Sequence, residues 1–192
     1  MSESAVYLQP AFILQSRPYR ENSVLLEVFT HDFGTMTMLA KGVRKEKSKM
    51  AGVLQAFSLL SLSYWDKNEL KILSRAEYVG CYPLQRLGLY CGFYVNELLQ
   101  RFLHRHDPHP ELFGCYRNCL QALSDGEHIE QALRYFELEL LEEAGYGIQL
   151  DVEQRGGCAV TDSRNYDFLA ATGIVQAVDG CVRGETLRAL SV

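Results

Sequence analysis

Hydrophobic and polar residues alternate with a period of two through residues 10–80 of this chain and recur with a helical period beyond them. Alternation sends successive side chains to opposite faces of a strand. The runs at 11–14, 24–29, 35–40, 57–65 and 69–79 therefore predict five short strands. His31-Asp32-Phe33-Gly34 reads as a turn in which Gly34 supplies positive φ, so the second and third strands should pair as a hairpin. Asp66-Lys67-Asn68 joins the fourth and fifth in the same way. Five strands with no long helix between them predict a closed or nearly closed barrel, because an open sheet of that size leaves two unprotected edges.

From Pro83 onward the spacing changes. Leu84, Leu87, Tyr90, Phe93, Tyr94, Leu98 and Phe102 belong to a helical pattern dense enough to predict a helix covered nearly all round. The segment HRHDPHP at 104–110 ends it, since two prolines cannot continue the hydrogen-bond ladder. Further helices are expected over 111–123 and 127–144, broken at Ser124-Asp125-Gly126 and stopped at Gly145-Tyr146-Gly147. Short connections make these three an antiparallel helical domain. After that come a small hairpin from 166–169 and 174–178 and a helix starting at Gly184. The expected class is α+β: a five-stranded barrel (1–80), a helical domain (81–147) and a small β or irregular appendage (148–192) that ends in a short helix.

Charge alters this picture because it is divided by region. The 192 residues carry a formal net charge of −5, yet every lysine (Lys41, Lys45, Lys47, Lys49, Lys67, Lys71) precedes residue 80, while acids gather in the third helix. Lys41, Arg44, Lys45, Lys47 and Lys49 crowd the loop after the third strand, opposed there only by Glu46. Unpaired buried charge is too costly for a core, so this loop is either an ordinary solvated one or a surface for a polyanion. Arg17 and Arg20 flank Pro18 and Tyr19 in what reads as a loop between the first two strands. A barrel with a cationic loop suits single-stranded nucleic acid, in which cations hold phosphates and each stacked base adds about 1–3 kcal/mol. Tyr19, Phe33, Tyr64 and Trp65 are aromatic candidates for stacking, or alternatively barrel filling. If the loop neutralises roughly four phosphates, the log-log salt slope for a single strand is about −3. Lys71 and Arg75 on the fifth strand are weaker candidates for the same work.

Other chemistry is sparse. The six cysteines form no CxxC pair; Cys115 and Cys119 share a helix face and read as buried thiols rather than metal ligands. The three histidines beside Asp107 have no ligand spacing and read as a solvated loop. Phosphate-binding, nucleophile-elbow and zinc-protease motifs are missing, which argues against an enzyme. Nothing in the first residues resembles a signal peptide, and no stretch approaches the about 20 apolar residues of a membrane span, so a cytoplasmic location is expected.

The segments FILQSRPYRENSVLLEVFT, GTMTMLAKGVRK, LQAFSLLSLSY and LKILSRAEYV, followed by LYCGFYVNELL and ALRYFELELLEEAGYG, resemble the RecO family of bacterial recombination mediators over roughly residues 8–150. The resemblance implies an N-terminal OB-fold, a helical domain and no catalytic centre. It also implies binding of single- and double-stranded DNA, annealing of complementary strands, and recombinase loading on strands covered by single-strand-binding protein, with a RecR-type mediator as partner at the nucleoid. The acidic, apolar tail of single-strand-binding protein is expected on the helical domain, where Arg134 with Leu138 one turn on is the best match; a surface pairing of Arg134 with Glu130 or Glu137 is the alternative. Paired cysteines of a family zinc site are not matched by Cys158 and Cys181, so neither metal nor cofactor is carried over, and the chain reads as C-terminally short. A protein-docking adaptor with little DNA binding of its own is the competing function.

Overall fold

In the computed structural model the described residues are 4–45, 48, 50–66, 70–169 and 172–190. The chain divides into two compact units, residues 1–144 and 145–192. In the first, strands β1 (Ser4–Tyr19), β2 (Ser23–Thr30), β3 (Gly34–Ala40), β4 (Ser58–Asp66) and β5 (Lys71–Cys81) close into a barrel of order β1-β2-β3-β5-β4. Each is built on the alternation seen in the sequence, and the β3–β5 pairing is parallel while the others are antiparallel. This is an OB-like barrel.

One strand makes closure possible. β1 has 16 residues, and its first part pairs with β4 while its second part pairs with β2. Register shifts between Val6 and Gln9 and between Ile13 and Gln15 mark bulges, which bend a strand and increase its twist. The strand also runs on through Tyr19, so Arg17 and Pro18 lie in the sheet and not in a loop, contrary to the sequence expectation. Pro18 is tolerated because this end of β1 pairs with β2 alone.

Inward residues such as Ile13, Leu26, Met36, Met38, Leu60, Leu62 and Tyr64 fill the barrel. Outward Phe12, Leu14 and Phe29 instead join a second core made by three helices, α1 (Arg86–Phe102), α2 (Pro110–Asp125) and α3 (Ile129–Glu143). The Phe12 ring meets Tyr116 edge-on at 4.9 Å and Phe113 at 5.2 Å, and Phe29 meets Phe113 at 5.3 Å. Inside this seam the Tyr116 hydroxyl donates to Asn96 Oδ1 (2.6 Å), and Asn96 Nδ2 donates to the Leu14 carbonyl (3.0 Å). The outer face of the barrel and the helices therefore share this second core, tied by buried hydrogen bonds.

The helical region departs from the sequence expectation in two places. α1 is not covered all round: Leu87, Tyr90, Phe93 and Tyr94 are exposed, because only the face of Gly88, Gly92, Val95, Asn96 and Leu99 turns inward. The HRHDPHP segment is not simply solvated either. His106 N–H donates to the Thr35 carbonyl (2.9 Å), Thr35 Oγ1 donates to the His104 carbonyl (3.2 Å), and His109 is buried with its Nδ1 2.8 Å from Glu143 Oε2. Gly34, at φ +65°, packs so closely on the backbone of Asp107 that no β-carbon fits between them.

The second unit holds β6 (Asn165–Leu169), β7 (Gly173–Gln176) and β8 (Val182–Arg183) in the order β7-β6-β8, followed by α4 (Gly184–Leu190). Val160, Tyr166, Ile174 and Leu187 form its core. Among the described residues no helix is long and apolar enough to cross a membrane.

Candidate nucleic-acid interface

β3 ends at Ala40, and the chain turns at once through Lys41, Gly42, Val43 and Arg44, with Gly42 at φ +72°. Val43 and Leu54 are buried in the barrel core, with Met50 and Val53 packed against it. These apolar residues anchor the loop, and Lys41, Arg44 and Lys45 on either side of Val43 are exposed. Apolar anchoring thus turns a charged segment into an oriented one.

The loop is also stitched to the turn between β1 and β2. Arg44 N–H donates to the Asn22 carbonyl (3.1 Å), and the Arg44 guanidinium donates to the Arg20 carbonyl (3.3 Å). Arg20 itself has φ +53°, and its guanidinium sits 5.2 Å from the centre of the Tyr19 ring. Cations from two segments over twenty residues apart in the chain thereby converge at one end of the barrel: Arg20 from one, Lys41, Arg44 and Lys45 from the other. None of the four has a carboxylate partner among the described residues. Lys47 and Lys49, expected at the same surface, lie outside the described residues.

Arg17 differs. Its guanidinium is 3.0 Å from Glu27 Oε1, and the other Glu27 oxygen accepts from Thr37 Oγ1 (2.9 Å) and lies 3.5 Å from Arg105 Nη2. A polar pocket of about 240 Å³ lies here, lined by Arg17, Glu27, Thr35, Gln100 and Arg105 among others. Arg105 was not singled out by the sequence, because it reaches this carboxylate only through the docking of the 104–109 segment on β3. The weaker candidates are engaged as well: Lys71 is buried with its Nζ 2.6 Å from Asp66, and Arg75 pairs with Glu77 at 2.7 Å.

Of the aromatic candidates, Tyr64 lies inside the barrel, where burial pushes its hydroxyl up to about 12, aided by the charges of Asp66 and Asp32. Phe33 and Trp65 are each 40% exposed. On the helices, Cys119 is buried and Cys115 partly so; burial first, then neighbouring thiols and acids, pushes them up to about 12 and about 11. Cys81, Cys158 and Cys181 are exposed. Arg134 is exposed on α3 and pairs with Glu137 Oε2 at 2.9 Å, while Glu137 Oε1 accepts from the Tyr94 hydroxyl at 2.8 Å. Leu138 is partly buried beside it. A groove of about 360 Å³ between α2 and α3 is lined by Cys115, Ala122, Ala132, Tyr135 and Phe136 among others.

The chain matches known proteins as two consecutive pieces, divided just after the barrel. Residues 1–82 match the family described as recombination protein O N terminal, and residues 84–191 match recombination protein O C terminal. The chain is 48% identical to the DNA repair protein RecO of Methylococcus capsulatus, over 97% of this chain and 78% of that protein. It is 43% identical to the RecO of Nitrosospira multiformis (90% and 72%) and 42% identical to that of Ralstonia nicotianae (97% and 71%). Two adjoining family matches that take in both the cation-ended barrel and the helices packed on it, with relatives this similar along nearly the whole chain, place it: the chain belongs to the RecO family of DNA repair and recombination proteins.

Proposed function

We propose that this protein binds single- and double-stranded DNA through the cationic end of its barrel, anneals complementary strands, and helps a recombinase load on strands covered by single-strand-binding protein. The observation that carries the reading is the junction of Arg44 with the Arg20 carbonyl, which brings to one surface cations of two segments that have no carboxylate partner among the described residues. Annealing requires no catalytic group: two polyanions are neutralised and held together while base pairing supplies the free energy. Arg20, Lys41, Arg44 and Lys45 do this work, with Lys47, Lys49 and Arg17 contributing. The helical domain takes the acidic, apolar tail of single-strand-binding protein at Arg134 and Leu138, next to the α2–α3 groove; the tail carboxylate displaces Glu137 from Arg134. A RecR-type mediator is the further partner the family membership supports.

Fluorescence anisotropy of a labelled single strand across a salt series tests the reading. The parent is expected to bind with a log-log slope of about −3, and a variant with Lys41, Arg44 and Lys45 changed to alanine to bind at least tenfold more weakly with a slope flatter by about 2. Equal binding by parent and variant would remove the barrel end from the mechanism. In a second arm, a labelled acidic peptide with an apolar C-terminus is expected to bind the parent and to lose affinity with Arg134→Glu; no loss would place the tail elsewhere.

A further inference from the structure

Part of β1 runs along the barrel with one edge bare. Its residues from Ser4 to Phe12 pair with β4 and those from Ala11 to Tyr19 with β2, so beyond Phe12 it has a neighbour on one side only. An antiparallel ladder alternates between pairs that exchange main-chain hydrogen bonds and pairs that turn those groups away. Pro18, which has no N–H to exchange, belongs to the second kind, and so does Ser16 two residues before it. The Leu14 carbonyl, at the bulge, is taken by Asn96 Nδ2 on α1 (3.0 Å). The N–H and carbonyl of Ser16 and the carbonyl of Pro18 have no such partner among the described residues. By contrast, the early part of β3, which β5 does not reach, is covered by the segment after α1, where His106 N–H donates to the Thr35 carbonyl (2.9 Å). β5 beyond Ile72 also pairs with β4 alone, and there the charged Arg75 and Glu77 stand on the strand, a common guard of natural edges.

What marks the β1 edge is the groove beside it, about 620 Å³ in volume, which lies within the range of pockets that bury a ligand. Residues 13–16 line it from β1, Phe93 and Gln100 line it from α1, and Ala56 adds to the wall. Phe93 is 52% exposed and offers an apolar surface, while Glu97 and Arg101 neutralise each other at 2.6 Å. Leu14 and Gln100 also line the polar pocket of about 240 Å³, so the two cavities adjoin. In that pocket Arg17 and Arg105 share one carboxylate, Glu27, at 3.0 and 3.5 Å, which leaves one positive charge in excess. A bare main-chain edge, an apolar wall and an excess cation together fit an extended protein segment. Its main chain repeats donors and acceptors at the strand spacing of about 7 Å per two residues, which a nucleic-acid backbone does not.

We propose that the edge of β1 from Ile13 to Pro18 docks an extended segment of a partner protein, which adds to the sheet as a further strand, lays an apolar side chain on Phe93 and directs an acidic one to Arg17 and Arg105. Main-chain hydrogen bonds to Ser16 and Pro18 supply the affinity and the two side chains the selectivity. The site is separate from the α2–α3 groove beside Arg134 and does not depend on how the barrel end meets DNA.

The probe is a labelled octapeptide of alternating threonine and valine that ends in aspartate, titrated with the full chain and followed by fluorescence anisotropy. Two further forms of it carry N-methyl groups on alternate residues, one on the odd set and one on the even set. Saturable binding of the parent peptide is expected with a Kd below about 1 mM. An added strand gives the edge the N–H groups of one set only, so one N-methylated form is expected to bind about tenfold more weakly and the other unchanged. Ser16→Pro removes the edge N–H as Pro18 already does beside it, without a cost to the pairing with β2, and is expected to weaken the peptide about tenfold. Phe93→Ser, at a half-exposed position, is the second variant should the first misfold, and a several-fold loss is expected of it. Equal effects of the two N-methylated sets, or no binding of the parent peptide at about 1 mM, would overturn the proposal. Dimerisation of the chain that Ser16→Pro abolishes, with no peptide bound, would overturn it in favour of a second copy at this edge.

Discussion

Arg17 and Arg44 are both surface arginines near the ends of strands, yet they carry different usable charge. The Arg44 guanidinium donates to a backbone carbonyl and has no carboxylate partner among the described residues, whereas Arg17 faces the Glu27 carboxylate at 3.0 Å. A phosphate approaching Arg17 must compete with that carboxylate. Arg17→Ala is therefore expected to weaken single-strand binding less than threefold, and Arg44→Ala several-fold with a slope flatter by about 0.7. Glu27→Gln should raise affinity at low salt by releasing Arg17 and Arg105. All three are read by the same anisotropy titration, and an Arg17→Ala defect as large as that of Arg44→Ala would show the pairing with Glu27 to be irrelevant.

At the scale of elements, β1 and α1 organise the first unit. β1 serves two neighbours in turn because its bulges redirect it, and the carbonyl of Leu14, at the second bulge, accepts from Asn96 on α1. A bulge leaves a residue unpaired in the ladder, so this carbonyl requires a partner from outside the sheet. Asn96 supplies it and is held in turn by the Tyr116 hydroxyl, while Tyr116 is fully buried against Phe12. Tyr116→Phe keeps the ring packing but strips Asn96 Oδ1 of its donor. The expected loss is about 1–3 kcal/mol of unfolding free energy by urea denaturation. A loss below about 0.5 kcal/mol would mean that the hydrogen bond does not help to hold barrel and helices together.

For the molecule as a whole, pH sets a limit from the alkaline side. Burial holds Cys119 at about 12 against an ordinary 9.0, Cys115 at about 11, and Tyr64 at about 12 against an ordinary 10.0, and it raises Tyr116 as well. Between the ordinary and the folded values the unfolded chain has released protons that the folded chain still binds, so stability falls as pH rises. It is complete below about pH 9 and declines toward pH 12. The urea midpoint should therefore drop between about pH 8 and pH 10.5, and Cys119→Ala should shallow the decline. A flat midpoint over that range would contradict the burial of these groups.

The five strands, the three helices, the hairpin after them and the concentration of cations in one loop are all legible in the order of residues. Those features rest on local physics: side-chain alternation, helical spacing, proline and glycine stereochemistry, and the cost of burying charge. Which charges remain free and which surfaces are covered depends instead on how the elements pack. Arg20 meets Arg44, and Glu27 neutralises Arg17, because strand pairing brings distant segments together. Burial of His109 and exposure of Tyr90 depend on which face each element turns to its neighbours. Leu25, Leu39, Ile72 and Trp65, one residue from each of four strands, come side by side on the outside of the barrel only once it closes and sets their register.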